Sequence, residues 1–255
     1  MVETKDAVVL SAFIPDMTAL GIGFDYIDFI KEYFRDADVY IGMNPSAYVN
    51  IWLDELKKEI PNVRYATTED HLVIDSDASS YQTACKLLSE SPTKYNLVYF
   101  MHTKGVTSRS RERYTFFNIF KEKASINEIF LDKDIGSYSY YIGKHMHPFK
   151  DVMLDTFDFK RPYFYSYLYF YTFYVLRGEP LQNFLKNCNN FFYKNLITDF
   201  GGDRYYYERD FPQVVWRQGY KPAYIKKVDW NNGITDFDVE DDWKKYVGKE
   251  LEFCS

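Results

Sequence analysis

The chain has few cysteines, no long apolar run and no excess of positive charge, and each absence excludes a class of protein. Its 255 residues include three cysteines, Cys85, Cys188 and Cys254. This odd, irregularly spaced set argues against a disulfide framework or a cysteine zinc site and favours a reducing compartment. The polar N-terminus shows no signal peptide, and the tyrosine-rich stretch 163–176 is too short and polar to span a membrane. We therefore predict a cytoplasmic protein without stable membrane insertion.

The charge balance is acidic, with 31 Lys and Arg against 37 Asp and Glu and a net charge of −6. Nucleic-acid-binding proteins usually carry a basic excess or a dense basic face, so we expect no nucleic-acid partner. Positive charge is concentrated only locally, at Lys104, Arg109, Arg111 and Arg113. A local basic cluster in an acidic protein predicts binding of a small anion such as phosphate.

Strand and helix patterns alternate through the first 101 residues. Such alternation builds parallel strands joined by crossovers, so we predict an α/β fold, a Rossmann-type mixed central sheet flanked by helices. Short apolar runs predict strands at 7–14, 38–42, 62–66 and 95–101, with 71–74 as a further candidate. Apolar spacing predicts helices at 24–34, 46–60 and 79–90. Beyond residue 105 the pattern loosens, with helices at 111–130 and 179–195 and strands at 163–176 and 222–228.

The segment Asp75-Ser-Asp77 is a pair of carboxylates that follows an apolar run. Carboxylate oxygens at this spacing can hold Mg²⁺ or Mn²⁺, which would bridge the phosphates of a bound ligand. The alternative is structural, because Asp75 could cap the helix predicted to begin near Ser79. Both interpretations stay open at this point.

The predicted strand 95–101 ends abruptly in His102-Thr-Lys104-Gly105. Ligands of parallel sheets gather at the carboxyl ends of the strands. Gly105 allows a sharp turn, Lys104 offers a mobile positive charge for a phosphate, and His102 can bind a phosphate oxygen or a metal. Turn chemistry and a core histidine are the alternative, but the arginines that follow are poorly explained by packing.

A second polar segment, Gly201-Gly-Asp203-Arg-Tyr-Tyr-Tyr-Glu208, places carboxylates among aromatic side chains. A carboxylate can take the proton from an attacking hydroxyl group, with Glu208 as the first choice and Asp203 as the second. Tyr205 to Tyr207, or Trp216, could form a flat platform for a sugar ring. An amphipathic surface helix with an Arg204–Glu208 pair is the alternative.

Together these motifs resemble GT-A-fold glycosyltransferases that carry a His-Thr-Lys-Gly motif, over roughly residues 7–228. Similar enzymes occur in bacterial polysaccharide synthesis and in large DNA viruses, including the chlorella-virus enzymes that glycosylate the capsid protein. The resemblance implies a sugar donor that is a nucleotide diphosphate, with uridine as the base, and a glycan or glycoprotein acceptor. A viral origin would place the activity in the host cytoplasm. One domain, 1–255, would then hold a nucleotide-sugar-binding half, 1–105, and an acceptor-binding half with the C-terminal tail, 106–255.

The resemblance also assigns residue roles. Asp75 and Asp77 would hold Mn²⁺ or Mg²⁺ together with the donor diphosphate. The donor's base and ribose would lie near Asp38 and the loop after the first strand, Ser11, Ala12 and Phe13. Its phosphates would lie near the basic segment, His102, Lys104, Gly105 and Arg109. One departure concerns the metal, because the strand at 95–101 ends in His-Thr-Lys rather than in the two aspartates. Either the aspartates lie on a neighbouring strand, or Lys104 and the arginines replace the metal.

Two other functions fit parts of the sequence. A nucleotidyltransferase or sugar-nucleotide-modifying enzyme has similar phosphate and metal needs, but it usually carries a glycine-rich basic loop after its first strand. Residues 15–23 contain Gly21 and Gly23 but no Lys or Arg. A non-catalytic carbohydrate-binding protein would explain the 20% aromatic content but not the cluster of His, Lys and Arg.

Overall fold

A computed structural model describes residues 5–68, 76–103, 112–144, 167–169, 172–187, 211–212, 214–216 and 218–229. Within these ranges, eight strands form one mixed sheet in the order β3-β2-β1-β4-β7-β5-β6, and β8 pairs with β5. The predicted fold class, an α/β protein with a mixed Rossmann-type sheet flanked by helices, is confirmed. Within the same ranges, no helix has both the length and the apolar character needed to cross a membrane.

The first half of the sheet is parallel. Strand β1 lies between β2 and β4, and β3 pairs with the far side of β2. The chain therefore adds β2 and β3 on one side of β1 and then crosses over to add β4 on the other side of β1. This reversal creates a crevice between the carboxyl ends of β1 and β4, where α/β proteins bind ligands. The elements are β1 (Lys5–Ala12), α1 (Met17–Tyr33), β2 (Asp38–Met43), α2 (Val49–Glu59), β3 (Val63–Thr67), α3 (Ser76–Ser89) and β4 (Tyr95–His102).

The second half of the sheet is mixed. Strand β7 runs antiparallel to both β4 and β5, β6 is antiparallel to β5, and β8 is parallel to β5. Strands β5 and β8 therefore end at the same edge of the sheet as β1 to β4. The elements are α4 (Glu112–Lys121), α5 (Lys123–Ile129), β5 (Ile135–Lys144), β6 (Tyr167–Tyr169), β7 (Tyr174–Arg177), α6 (Gly178–Asn187) and β8 (Lys221–Asp229).

Two apolar cores cover the two faces of the sheet. Val8 and Leu10 of β1 pack into the core that includes α1, α2, α4 and α5, whereas Ala7 and Val9 pack with α3 and α6. Successive strand residues point to opposite faces, so this alternation shows that β1 is buried on both sides. A strand buried in this way has an almost continuous apolar sequence, which is why β1 was recognisable.

The predicted strands at 7–14, 38–42, 62–66 and 95–101 are confirmed as β1 to β4, with ends that shift by at most two residues. Helix α1 begins at Met17, earlier than predicted, because Asp16 caps it by accepting a hydrogen bond from the Ala19 backbone N–H at 2.8 Å. The helix predicted at 111–130 is two helices, α4 and α5, which are separated at Glu122. The candidate strand at 71–74 lies outside the described residues.

Candidate ligand site at the carboxyl edge of the sheet

The carboxyl ends of the parallel strands are lined by buried polar side chains. The central residues of β1, β2 and β4 are apolar or aromatic. Buried polar groups need hydrogen-bond partners, so apolar packing alone does not explain a row of them in this place. The row consists of Ser11, Asn44, Thr68, His102 and Thr103, together with Ser79 and Ser80 of α3. We call these seven residues the polar edge.

Thr103 joins the two sides of the crevice. Its backbone N–H donates to the carbonyl oxygen of Ser11 at 3.1 Å. Its hydroxyl oxygen accepts from the Phe13 backbone N–H at 2.9 Å and lies 3.2 Å from the Phe13 carbonyl oxygen. The loop after β1 is thereby fixed against the end of β4.

Helix α3 reaches the polar edge because β2 has a glycine where the helix crosses it. A Cβ atom on Gly42 would lie 1.7 Å from the Ser80 carbonyl oxygen, so no larger residue fits. The close approach lets the Ser80 hydroxyl donate to the side-chain oxygen of Asn44 at 2.8 Å. The N-terminal turns of α3 therefore lie beside the ends of β1 and β2, where their backbone N–H groups favour an anion.

His102 lies beside the crevice on the same face of the sheet as α3. It is the cross-strand partner of Ser11, so both side chains leave the sheet on one face. The imidazole ring is flanked by Tyr81 of α3, at 6.5 Å between ring centroids, and by Phe173, at 5.4 Å. These contacts bury the His102 ring between α3 and the start of β7 at the carboxyl end of β4.

The prediction for Asp38 is not supported by its position. Asp38 begins β2 and pairs in register with Ala7, whereas Ser11 pairs with Gly42 further along the strands. Its carboxylate accepts hydrogen bonds from Lys5 Nζ at 2.6 Å and from the Tyr95 hydroxyl at 2.7 Å. Asp38 therefore lies at the amino end of the sheet, about 13 Å of strand away from the polar edge, and we leave it out of the site.

Trp216 and Arg113 also have structural surroundings that the sequence did not reveal. Trp216 is 0% exposed and donates its ring N–H to the Ser137 hydroxyl, so it is a core residue and not a platform for a sugar. Arg113 is buried and donates from Nε and Nη2 to Asp25 at 2.9 and 2.7 Å. This arginine links α4 to α1, so packing does explain it.

Several predicted site residues lie outside the described part of the chain: Asp75, Lys104, Gly105, Arg109, Asp203, Tyr205, Tyr206, Tyr207 and Glu208. Their roles stay predictions. The backbone of Asp77 is described and lies in the first turn of α3, and its predicted role as a metal ligand stays a prediction. Among the described side chains there is no group of three His, Cys, Asp or Glu residues close enough to hold a metal ion.

Sequence reasoning identified Ser11, Phe13 and His102 at this edge but missed Asn44, Thr68 and Ser80. A weak signal was present, because Asn44 and Thr68 each follow directly after an observed strand, as Thr103 does. The fold defines a Rossmann-type α/β protein whose strand order reverses between β1 and β4, and the polar edge lies at that point. No family model matches the chain, and no curated protein matches it either.

Proposed function

We propose that the chain is a glycosyltransferase, which moves a sugar from a nucleotide diphosphate donor to a carbohydrate acceptor in glycoprotein or polysaccharide synthesis. A uridine diphosphate sugar is the proposed donor. The main support is the polar edge at the crevice between β1 and β4, from which the His-Thr-Lys-Gly segment continues. Parallel sheets of this order bind nucleotides at that crevice.

The donor's base and ribose would lie at the β1 side of the crevice, near Ser11, Ala12 and Phe13. The backbone there is already held by Thr103, so binding would cost little ordering of the loop. Asn44 and Ser80 lie next to it and add hydroxyl and amide groups able to read a ribose or a base. This part of the proposal depends only on described residues.

The diphosphate would lie between β1 and β4, beside His102. Lys104 follows Thr103 directly in the sequence, and Gly105 and Arg109 continue the same segment. Their positive charges would offset the charge that develops on the leaving diphosphate. A Mn²⁺ or Mg²⁺ ion, when bound by Asp75 and Asp77, would supply the same electrostatic help.

The proposed reaction is a direct displacement at the anomeric carbon of the donor sugar. Glu208, or else Asp203, accepts the proton of the acceptor hydroxyl as its oxygen forms the new bond to the anomeric carbon. The bond between that carbon and the diphosphate oxygen breaks, and its electron pair leaves with the diphosphate. One displacement inverts the configuration of the anomeric carbon.

A thermal-shift panel tests the proposal. UDP, GDP and CDP, with and without Mn²⁺, are compared with uridine, which lacks the diphosphate. A ligand at one hundred times its Kd stabilises a protein by about 2.7 kcal/mol, so we expect UDP to raise the Tm by about 5 °C or more. Uridine should have little effect. No shift with any diphosphate would contradict the proposed function.

A further inference from the structure

Exposed aromatic side chains are concentrated where α1 meets α4. Among the described residues only three aromatic side chains are exposed, those of Phe24, Tyr65 and Tyr114. Two of the three adjoin one carboxylate, because Phe24 directly precedes Asp25 and the Tyr114 hydroxyl donates to Asp25 Oδ2 at 3.1 Å. A single exposed ring needs no explanation, whereas two at one place can mark a binding surface.

Tyr114 is exposed but held in a fixed orientation. Its hydroxyl accepts a hydrogen bond from Arg113 Nη2 at 2.9 Å in addition to its donation to Asp25. The guanidinium carbon of Arg113 lies 4.3 Å from the centroid of the tyrosine ring and covers one of its faces. Since the residue is still 44% exposed, its open surface lies mainly on the other face of the ring. A ring that is already fixed loses little conformational freedom when a ligand packs on it.

Asp25 keeps one carboxylate oxygen open to solvent. Arg113 Nε at 2.9 Å, Arg113 Nη2 at 2.7 Å and the Tyr114 hydroxyl all donate to the same oxygen, Oδ2. Within the described ranges no group donates to Oδ1, and the Asp25 side chain is 35% exposed. An arginine that only links two helices commonly engages both carboxylate oxygens in a bidentate pair. The observed arrangement instead leaves a charged acceptor at the surface beside the tyrosine.

An open aromatic face beside an open carboxylate oxygen fits the chemistry of a neutral sugar. A sugar ring presents C–H groups on its face, which pack on the flat apolar surface of a tyrosine. It presents hydroxyl groups on its rim, which donate to a carboxylate oxygen in a charge-assisted hydrogen bond. A phosphate fits this place poorly, because its charge has the same sign as that of the exposed oxygen of Asp25.

We propose that Tyr114 and Asp25 bind a sugar residue of the glycan acceptor that is remote from the reacting hydroxyl; this inference rests on the proposed function, which requires such an acceptor. Helix α1 begins at Met17, shortly after the carboxyl end of β1. Asp25 lies eight residues further along, which is about 12 Å of helix. The sugar site is therefore separate from the proposed donor site, and an oligosaccharide can extend from one to the other.

The test compares Tyr114→Ala and Tyr114→Phe with the unmodified protein by saturation-transfer NMR titration. The probes are maltotetraose, cellotetraose, xylotetraose, mannotetraose and chitotetraose, and UDP is titrated separately. We expect the unmodified protein to bind at least one oligosaccharide, and Tyr114→Ala to weaken the tightest of them about ten-fold because the stacking face is lost. Tyr114→Phe keeps the ring, so its Kd should stay within about three-fold. The Kd for UDP should change less than about two-fold in both variants, because the donor site is distant.

Tyr65→Ala is the matched control, because Tyr65 on β3 is also exposed and has Lys57 Nζ 4.4 Å from its ring centroid. It should leave oligosaccharide binding unchanged. The inference is overturned if the unmodified protein binds none of the oligosaccharides, or if Tyr114→Ala binds them as Tyr65→Ala does. An equal loss of UDP and oligosaccharide binding in Tyr114→Ala, together with a lower Tm, would also overturn it by indicating a structural role. Oligosaccharide binding without any UDP binding by the unmodified protein would instead contradict the proposed function and not the sugar site.

Discussion

Lys104 is the residue at which the charge argument can be tested most simply. It directly follows Thr103, whose hydrogen bonds fix the end of β4 to the loop after β1. Lys104→Ala removes one positive charge from the proposed diphosphate site, so we expect the Kd for UDP to rise about ten-fold or more. Lys94→Ala makes the same change at the exposed, opposite end of β4 and should leave the Kd unchanged. Equal affinity of both variants would remove Lys104 from the site.

Glu208 is the residue at which the proposed general base can be tested. Glu208→Gln keeps the size of the side chain but removes its ability to accept a proton. A general base contributes about 10²- to 10⁴-fold to a rate, so turnover should fall by at least about 10²-fold while the affinity for UDP stays nearly constant. Glu90→Gln, an exposed position at the end of α3, serves as control for both measurements. Full turnover in Glu208→Gln would exclude this residue as the base.

The predicted site residues that the structure brings together lie at the carboxyl ends of strands, and those that it separates lie elsewhere. Ser11 and His102 come at the ends of apolar runs, and the topology brings them together as cross-strand partners. Asp38 precedes its strand, so it lies at the opposite end of the sheet. Tryptophan is a residue type that can stack on a sugar ring, which made Trp216 a candidate. Only the three-dimensional structure shows that its ring packs edge-on against Tyr169 in the core.

The contact between α3 and β2 is the feature of the secondary structure on which the site depends most. Gly42→Ala would place a methyl group against the Ser80 carbonyl oxygen, so we expect a loss of about 3 kcal/mol or more in the free energy of unfolding. UDP binding should weaken as well, because the Ser80–Asn44 hydrogen bond would be pulled apart. Both effects can be measured by urea denaturation and titration.

Gly21→Ala is the control for the Gly42 variant. A Cβ atom at Gly21 would meet nothing within 4 Å, and the residue lies on the exposed face of α1. This substitution should stabilise the helix by about 0.5–1 kcal/mol, because alanine loses less backbone entropy than glycine. A Gly42→Ala protein as stable as the unmodified one would contradict the close helix–sheet contact.

The elements that could be predicted are those with a simple hydrophobic pattern. Strands β1, β2 and β4 are buried on both faces and have nearly continuous apolar sequences. Strand β5 was missed because it alternates serine with tyrosine, which does not resemble an apolar core strand. In the fold, Ser137 and Ser139 are buried and are satisfied by the Tyr169 hydroxyl at 2.8 Å and the Phe173 carbonyl at 2.8 Å. Those partners are distant in sequence, so no local pattern reveals them.

Across the whole molecule, buried tyrosines couple stability to alkaline pH. Burial raises the pKa of Tyr99, Tyr138 and Tyr169 well above the ordinary value. In the unfolded chain these phenols ionise near pH 10. Their contribution to stability is therefore fully present below about pH 10 and is lost above it, by about 1.4 kcal/mol per tyrosine and pH unit.

Urea denaturation at pH 8, 10 and 11 measures this effect, and tyrosinate absorbance follows the ionisation directly. We expect the urea midpoint to fall above pH 10, and a fraction of the tyrosines to ionise only as the protein unfolds. A midpoint that stays constant between pH 8 and pH 11 would contradict the burial of these phenols in the folded state.

Hydrogen–deuterium exchange with and without UDP tests the location of the site most directly. The central claim is that a nucleoside diphosphate binds where the carboxyl ends of β1 and β4 meet. Saturating UDP should slow deuterium uptake in peptides that cover residues 11–17, 43–49 and 101–106. Uptake should stay unchanged in peptides covering 34–38 and 90–95 at the opposite end of the sheet. Slower uptake only at that opposite end, or at neither end despite binding, would contradict the account.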